Sequence, residues 1–266
     1  AENFEFNEEQ LQEKLSSILR DLNSNSVVNA NVTRLKVCCA SEVVSNNITV
    51  RLDEILLDKI DNNLLYGAKI DGYYSEKELE SLCNALNIFD IDVMNIDGDA
   101  LTQKVKDNVL NLNEIAEGYM NKTNLNLVYP SVIFSGILSK ELDAVLLEAE
   151  DEDGNPSPLL SESVLAEIKG GTVYSEEEIC NLINSVKAFG VNSFDEIKTL
   201  DFDDIKTKTD KIDEICKSLV MRGVFTKQIA ANSELDVDHA LAYEDGIKIL
   251  KVNEIKSLVN LINEVG

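Results

Sequence analysis

The sequence predicts a mainly α-helical protein: about three degenerate helical repeat units packed as an elongated array, with short extended segments in the inserts between units. Two segments each occur more than once. The segment 74–86 returns at 174–186, and the segment 131–142 returns at 218–229. Aromatic residues make up only 6% of the chain and tryptophan is absent, so the core must be aliphatic. Repeat units of this size bury their apolar faces by stacking on their neighbours.

The first repeated element is a glutamate-rich helix. In its clearest copy Ser175 lies three residues before Glu178, the capping-box spacing in which each side chain binds the other residue's backbone amide. Apolar residues then fall on one helical face, at Ile179, Leu182, Ile183 and Val186. The same design at 74–89 pairs Ser75 with Glu78. Both segments are therefore predicted to be helical.

Fainter copies of this helix occur near both ends of the sequence. Residues 6–19 carry Asn7 in the capping position, and 252–263 repeat the apolar spacing without a serine cap. Acidic residues in the first turn suit the positive end of the helix dipole. The sequence therefore predicts four helices of this type.

A short acidic turn and a polar amphipathic helix form the second element. The turn at 89–97 precedes a helix predicted at 101–110, and the turn at 194–205 precedes one predicted at 206–215. Because the two sets follow the glutamate-rich helix in the same order, they support a common repeat unit.

The third element has the pattern Ser-x-x-x-x-Gly-x-x-Ser/Thr-Lys and occurs at 131–142 and 218–229. Its apolar residues are almost continuous, so it is predicted to be the most buried helix. Glycine is the residue that most often terminates a helix. We therefore expect these helices to end near Gly136 and Gly223.

An eroded copy of the third element and two variable inserts complete the pattern. The eroded copy at 43–51 places Asn47 where the glycine stands and Arg51 where the lysine stands, and asparagine is the next best residue for a left-handed backbone. The insert at 149–158 is acidic and rich in turn residues, which predicts a loop, while 246–252 is predicted to be extended.

The repeats divide the chain into three predicted units. The first is a degenerate unit at 1–73, and the second, at 74–173, carries the acidic insert. The third, at 174–266, includes the start of a further unit, which suggests that the repeats belong to a longer array.

The composition disfavours several kinds of partner. The 24 basic and 49 acidic residues give a net charge of -25, whereas phosphate contacts require clustered lysine and arginine. The same charge disfavours an anionic membrane surface. The best apolar run, 128–138, is too short to span a bilayer and is interrupted by Pro130 and Gly136. We therefore expect a protein partner or self-association, with no nucleic acid and no membrane insertion.

No motif in the sequence names a catalytic, cofactor-binding or metal-binding residue. His239 is the only histidine and no GxSxG motif is present, so a catalytic triad is unsupported. The pair Gly170-Gly171 belongs to no phosphate-binding pattern. Without a CxxC pair, the cysteines are expected to be small buried hydrophobes rather than zinc ligands or disulfides. They are Cys38, Cys39, Cys83, Cys180 and Cys216.

Calcium binding by the acidic insert is a weaker candidate. The insert fails the EF-hand pattern, because Ala149 and Leu160 fall at positions that need acidic ligands. A looser site using Asp151 and Asp153 stays open beside the simpler interpretation of a solvated acidic loop.

A Ser/Thr-Lys pair follows each glycine of the third element, at Ser139-Lys140 and Thr226-Lys227. Active-site residues seldom recur in every copy of a repeat. We therefore expect these pairs to have a structural role, such as capping a helix or forming a salt bridge.

The repeated segments at 131–142 and 174–184 resemble modules of very large repetitive surface proteins of AT-rich Gram-positive bacteria. The abundance of Asn, Asp, Ile and Lys, with little Arg, is consistent with such a genome. The resemblance covers most of the chain and implies an extracellular, non-enzymatic stalk or adhesive array. The insert at 149–158 and the uneven repeat spacing depart from that pattern, which leaves open whether the units are equivalent modules or one fused domain.

Three functional hypotheses follow. The first is a non-enzymatic structural or interaction segment of a bacterial surface stalk or adhesin. The second is a cytoplasmic or phage-derived scaffold, which the odd number of cysteines favours, since exported proteins of such bacteria tend to avoid thiols. The third is a hydrolase that uses carboxylates or calcium in the variable inserts.

Overall fold

The computed structural model has a mainly helical chain, and this part of the fold prediction is confirmed. The structure describes residues 42–88, 98–107, 122–150, 153–191, 195–200, 202–231 and 249–265. The elements predicted at 6–19 and 89–97 lie outside these ranges, as do the first three residues of the extended segment predicted at 246–252. The rest of that segment is not a strand: residues 249–251 have no regular secondary structure, and a helix begins at Val252.

The described residues form twelve α-helices and two short 3-10 helices. In chain order the α-helices are α1 Glu42–Leu56, α2 Asn62–Gly67, α3 Glu76–Ile88, α4 Gly98–Val105, α5 Lys122–Val128, α6 Val132–Leu147, α7 Glu162–Lys169, α8 Glu176–Phe189, α9 Phe202–Lys206, α10 Ile212–Ile215, α11 Leu219–Ala231 and α12 Val252–Val265. The 3-10 helices are Asp195–Thr199 and Thr209–Lys211.

A two-stranded antiparallel hairpin lies between α2 and α3. Strand β1, Lys69–Ile70, pairs with strand β2, Tyr73–Tyr74, so that Lys69 is opposite Tyr74. The turn between them uses Asp71 and Gly72, which have φ angles of 53° and 87°. An Asp-Gly pair with two positive φ angles is the preferred sequence for a two-residue hairpin turn.

The chain divides into two compact units. The first comprises Ala1–Val105 and Thr123–Leu138, and the second comprises Lys106–Lys122 and Ser139–Gly266. This division follows contacts between residues rather than repeats in the sequence. The predicted repeat boundaries at 1–73, 74–173 and 174–266 therefore stay a prediction.

The predicted faces of the glutamate-rich helices are buried. Helix α8 buries Ile179, Leu182, Ile183 and Val186, and helix α3 buries Leu79, Leu82 and Leu86. Helices α6 and α11, predicted to be the most buried, bury apolar side chains on most of their surface: Ile133, Phe134, Ile137, Leu138, Leu142, Leu146, Val220, Met221, Val224, Phe225 and Ile229.

The prediction that these helices end near their glycines is wrong. Helix α6 continues well past Gly136, and α11 well past Gly223. A β-carbon on Gly136 would clash with the side chain of Ile60, and one on Gly223 would lie 2.9 Å from Leu160 Cδ2. Glycine lowers helix stability, so its use here reflects close packing rather than helix termination.

The helix predicted at 206–215 is broken. Helix α9 ends at Lys206, a 3-10 turn follows at Thr209–Lys211, and α10 then begins. At the break, Thr207 donates from Oγ1 to the carbonyl of Asp204 at 2.7 Å and from its amide to the same oxygen at 3.2 Å. The Thr207 amide also donates to the Asp203 carbonyl at 3.3 Å, and the next amide, Lys208, donates to the Ile205 carbonyl at 3.1 Å. The α-helical bonding pattern thus changes to a tighter one at this point, as it often does at the end of a helix.

Candidate functional site

A buried glutamate on helix α3 binds the start of helix α6. Glu78 Oε1 accepts hydrogen bonds from Ser131 Oγ at 2.7 Å and from the Ile133 amide at 3.1 Å. Glu78 Oε2 accepts from the Val132 amide at 2.8 Å. Ser131 Oγ in turn accepts from the Phe134 amide at 3.2 Å. The first three amides of α6 thus have side-chain acceptors, and we name this arrangement the Glu78 junction.

The same arrangement occurs between helices α8 and α11. Glu178 Oε1 accepts from Ser218 Oγ at 2.6 Å and from the Val220 amide at 3.0 Å. Glu178 Oε2 accepts from the Leu219 amide at 3.0 Å. Ser218 Oγ accepts from the Met221 amide at 3.2 Å. This is the Glu178 junction, and it repeats each bond of the Glu78 junction.

Both carboxylates are deeply buried, with 4% of Glu78 and 5% of Glu178 exposed. Burial raises the pKa of each carboxyl above its ordinary value, because the ionised form loses its water. The serine hydroxyls and the backbone amides act in the opposite direction. Each carboxylate also lies at the positive end of the helix that it binds. A buried carboxylate in this setting stabilises a helix terminus.

The capping boxes predicted from the sequence are half correct. Ser75 Oγ accepts from the Glu78 amide at 3.1 Å, and Ser175 Oγ accepts from the Glu178 amide at 3.1 Å, as the spacing predicts. The glutamate side chains instead bind the start of a different helix. The carboxylates therefore connect two helices, whereas a capping box would have used them within one.

A second cluster surrounds the tyrosine that precedes helix α3. Tyr74 donates from its hydroxyl to Asp53 Oδ1 at 2.8 Å, and Lys69 Nζ donates to Asp53 Oδ2 at 2.6 Å. The Lys69 ammonium lies 5.0 Å from the centre of the Tyr74 ring. The Tyr74 amide donates to Thr49 Oγ1 at 3.2 Å. Burial and the bond to Asp53 raise the pKa of Tyr74 well above its usual value. We name this set the Tyr74 cluster.

An equivalent Tyr174 cluster precedes helix α8. The Tyr174 hydroxyl donates to Asp143 Oδ1 at 2.7 Å, and Lys169 Nζ donates to Asp143 Oδ2 at 2.6 Å. The Lys169 ammonium lies 5.6 Å from the ring centre, and the Tyr174 amide donates to Ser139 Oγ at 3.1 Å. The lysine and the tyrosine thus hold one carboxylate between them in both clusters.

These clusters correct the alignment of the eroded copy. Thr49 accepts the same amide bond as the serine of the Tyr174 cluster, so it occupies that position in the repeat. Counting from Thr49 puts Asn46 at the glycine position and Val50 at the lysine position. The prediction that used Asn47 and Arg51 is therefore displaced by one residue.

The amide bond occurs a third time with different side chains around it. The Leu250 amide donates to Thr226 Oγ1 at 3.0 Å. Leu250 stands where the tyrosines stand in the other copies, and Ala230 stands where their aspartates stand. The Arg222 guanidinium donates to the Leu250 carbonyl through Nη2 at 2.9 Å and Nε at 3.2 Å. The backbone contact is thus retained while the ion pair is replaced.

The Ser/Thr-Lys pairs have the structural role that their recurrence predicts. Ser139 and Thr226 accept the amide bonds described above. Lys227 donates to the carbonyl of Pro158, and burial lowers the pKa of its ammonium. Lys140 is exposed. In both pairs the hydroxyl accepts a backbone amide, whereas the lysine is exposed in the first pair and binds a carbonyl in the second.

The acidic insert is a loop, as predicted. Its two ends are held together by a bond of 2.7 Å from the Ser157 amide to the Ala149 carbonyl. Asp153 is exposed in this loop, and Asp151 lies outside the described residues. Within the described ranges, no three His, Cys, Asp or Glu side chains are grouped closely enough to hold a metal ion.

The cysteines differ in burial, and His239, Cys38 and Cys39 lie outside the described residues. Cys216 is buried, and burial raises the pKa of its thiol to about 12. Cys83 and Cys180 are half-buried on helices α3 and α8. None of the three described cysteines forms a disulfide. The prediction of small buried hydrophobes is confirmed for Cys216 alone.

Sequence reasoning missed the tyrosine clusters, although the sequence contains their signal. A lysine precedes a tyrosine by five residues at Lys69 and Tyr74 and again at Lys169 and Tyr174. In both copies an aspartate also stands four positions after the Ser or Thr that accepts the tyrosine amide: Asp53 after Thr49, and Asp143 after Ser139. A polar spacing that repeats inside an apolar repeat indicates a contact that both copies form.

In the part of the chain that the structure describes, no helix has the length and apolar character required to cross a bilayer.

Comparison with known proteins yields no match: neither a protein-family model, nor a curated protein, nor a solved structure is similar to this chain.

Proposed function

We propose that this chain is a non-enzymatic segment of a helical repeat array, which serves as a scaffold or as a surface for protein binding. The observation that carries the proposal is the duplication of the polar junction. Glu78 and Glu178 join one helix to the start of another through the same set of bonds. Arrays of this kind are held together by contacts that recur at each step.

The side chains that recur in the sequence also support a structural role. Ser139 and Thr226 bind backbone amides, and Tyr74 and Tyr174 donate to the aspartates of their own clusters. Recurring groups that are occupied by structural bonds hold a repeat in shape. The exposed surface between the helices is then the part that differs from unit to unit, and we propose that it contacts the partner.

Solution scattering tests this proposal through the arrangement of the units. A compact globule of this length has a radius of gyration of roughly 18 Å. We expect a clearly larger radius and a long maximum dimension, because stacked units extend in one direction. A radius near the compact value would contradict an array. The same measurement with added calcium tests the loop of Asp153, and a calcium-dependent change of shape would favour a metal-dependent role instead.

We propose a bacterial surface as the location, on the basis of the sequence resemblance and the acidic composition. The rival location is the inside of a cell, as a scaffold. One observation favours that rival: none of the three described cysteines, Cys83, Cys180 and Cys216, forms a disulfide. Fractionation of cells that express the native protein separates the two. Recovery with the cell envelope and protease sensitivity on intact cells support the surface, and recovery in the soluble interior contradicts it.

A further inference from the structure

Helix α12 is a third glutamate-rich helix, after α3 and α8. Aligned on the amide bonds described above, Glu254 occupies the position of Glu78 and Glu178. Helices α8 and α12 also have the same length, and each is followed by a glycine, Gly190 or Gly266. The comparison can therefore be made residue by residue.

The carboxylate of Glu254 has a different partner from its two counterparts. Glu254 is exposed, and its Oε2 accepts at 2.7 Å from the amide of Lys251, the residue directly before its own helix. This is the half of the capping box that Glu78 and Glu178 do not make. Lys251, which stands at the position of Ser75 and Ser175, cannot make the other half, because its side chain carries no acceptor.

The apolar surface beside Glu254 is also more exposed than the surface beside Glu78 and Glu178. Four residues after the glutamate, Leu82 and Leu182 are buried, whereas Leu258 is half-buried. Seven residues after it, the side chain is again buried in α3 and α8, as Ala85 and Ser185. The residue at that position in α12, Leu261, is 50% exposed. The face that lies next to the glutamate is thus covered in two helices and open in the third.

We propose that this open face of α12 is a docking site for the start of a further helix of the α6 and α11 type, with Glu254 as the acceptor of its first amides. This inference rests on the proposed repeat array and assigns its next contact. The partner is a helix that begins with serine, continues with three apolar residues, and has glycine five positions after the serine. Serine supplies the hydroxyl bond to the carboxylate, and the glycine permits close packing.

A further unit of this kind fits the site better than a second copy of this chain. The matching helices of this chain, α6 and α11, are already bound by Glu78 and Glu178. Among the helices that the structure describes, the other candidate is α1, which has Asn46 in place of the glycine. The partner helix is therefore expected from an added unit rather than from α1 of a second molecule.

The test is a chain extended after Gly266 with a second copy of 191–231, which is the segment that connects α8 to α11 and includes α11. The added segment alone carries ¹⁵N, introduced by intein ligation, so that its amides are observed without overlap. We expect the amides that copy Leu219 and Val220 to exchange with solvent at least about tenfold more slowly than in the Glu254→Ala variant. Asn253→Ala is the matched control, because Asn253 is an exposed neighbour on the same turn, and it should leave the exchange unchanged.

Equal exchange with and without the Glu254→Ala change would overturn the proposal. The Glu178→Ala variant of the unextended chain separates this failure from a failure of the array itself. If Glu178→Ala speeds exchange at Leu219 and Val220 while Glu254→Ala has no effect, only the docking site is wrong. If neither substitution has an effect, the junction is not a structural contact, and the proposed function fails too.

Two further measurements complete the design. If Glu178→Ala prevents folding, Glu178→Gln keeps the comparison possible, because an amide oxygen still accepts part of the bonds. Sedimentation of the unextended chain over a range of concentrations tests the rival partner. Self-association that Glu254→Ala abolishes would assign the face to a second copy and overturn the proposal, whereas a monomer at all concentrations supports it.

Discussion

The Glu78 and Glu178 junctions have the same bonds but differ in the chain that connects their parts. Glu78 and the serine that it binds are 53 residues apart, whereas Glu178 and its serine are 40 apart. The bonds from the serine hydroxyls are nevertheless 2.7 and 2.6 Å long. The junction therefore depends on the short sequences at its two sides. The length of the connecting chain has little influence on it.

The packing around the two glycines shows a difference of degree. At Gly136 an added β-carbon would clash with Ile60, which is 3% exposed and has little freedom to move. At Gly223 the nearest atom is the tip of Leu160, at 2.9 Å, and Leu160 is only 1% exposed. The polar contacts of the two junctions are thus nearly equal, but the apolar contact is tighter in the first compact unit. Substitutions at matched positions of the two copies can measure how much the polar and the apolar contacts each contribute to stability.

Removal of a buried junction glutamate should lower the free energy of unfolding more than any other change considered below. Glu178→Ala leaves the Ser218 hydroxyl and the amides of Leu219 and Val220 without their acceptor in a buried site. We expect a loss of about 3 kcal/mol in the free energy of unfolding, because buried donors without partners are costly. Urea unfolding followed by circular dichroism measures it.

Glu78→Ala is the matched variant in the first compact unit and should cost a similar amount, since Glu78 makes the same three bonds. Glu178→Gln should cost less than Glu178→Ala, because the amide oxygen remains an acceptor. A loss below about 0.5 kcal/mol for both alanine variants, which is typical of an exposed site, would contradict the structural role of the junctions.

Substitution of the glycines should separate the two copies. Gly136→Ala is expected to lower the free energy of unfolding by about 2 kcal/mol, because overpacking against Ile60 exceeds the gain in helix propensity. Gly223→Ala should cost less, about 1 kcal/mol, because its β-carbon would approach Leu160 less closely than the one at Gly136 approaches Ile60. Thermal unfolding of both variants measures the difference.

The control for this prediction is the double variant Gly136→Ala/Ile60→Ala. It should be more stable than the sum of the two single changes implies, because the alanine at 60 removes the atoms that clash. Strictly additive losses would show that the cost at Gly136 has another origin.

Removal of the tyrosine hydroxyls should have a smaller and equal effect in both clusters. Tyr74→Phe and Tyr174→Phe each remove one hydrogen bond to an aspartate that keeps its bond to a lysine. Since the aspartate keeps a partner, we expect a loss of about 1 kcal/mol in each case. Chemical denaturation of the two variants side by side measures it, and a clear difference between them would disprove the equivalence of the clusters.

The pH dependence should be the smallest of these effects. Burial raises the pKa of Glu78 and Glu178 in the folded state. Between the ordinary glutamate pKa and the raised one, the folded chain holds protons that the unfolded chain has lost. Stability from this source is thus complete below the ordinary pKa and declines as the pH rises through the raised one.

A variant with both Glu78→Gln and Glu178→Gln provides the reference for that measurement, because it keeps all other titrating groups. The difference in unfolding free energy, wild type minus variant, should be most favourable near pH 4 and shrink towards pH 7. A difference that grows with pH would show that the hydroxyl and amide donors outweigh burial.

Much of the helical pattern was predictable because it depends on local spacing. The apolar faces of α3 and α8 follow from residues three and four apart, and Ser75 and Ser175 cap their helices as predicted. The interpretation of Gly136 as a helix terminator failed because the residue that explains it, Ile60, is distant in sequence. The prediction of a continuous helix at 206–215 was wrong because the chain changes to 3-10 bonding near Thr207, and the spacing of apolar residues does not signal that change.

By itself, the sequence determined that the chain is mainly helical, which faces of its helices are apolar, and that polar residues recur at fixed positions. These are properties of neighbouring residues, whose spacing a helix converts into a face. Only the tertiary structure decided where the recurring polar groups bind. A carboxylate at this position can accept from the start of its own helix, as Glu254 does from Lys251, or from the start of another helix, as Glu178 does. The choice of Ser218 and the following amides depended on which helix terminus the packing of the apolar faces brought to it.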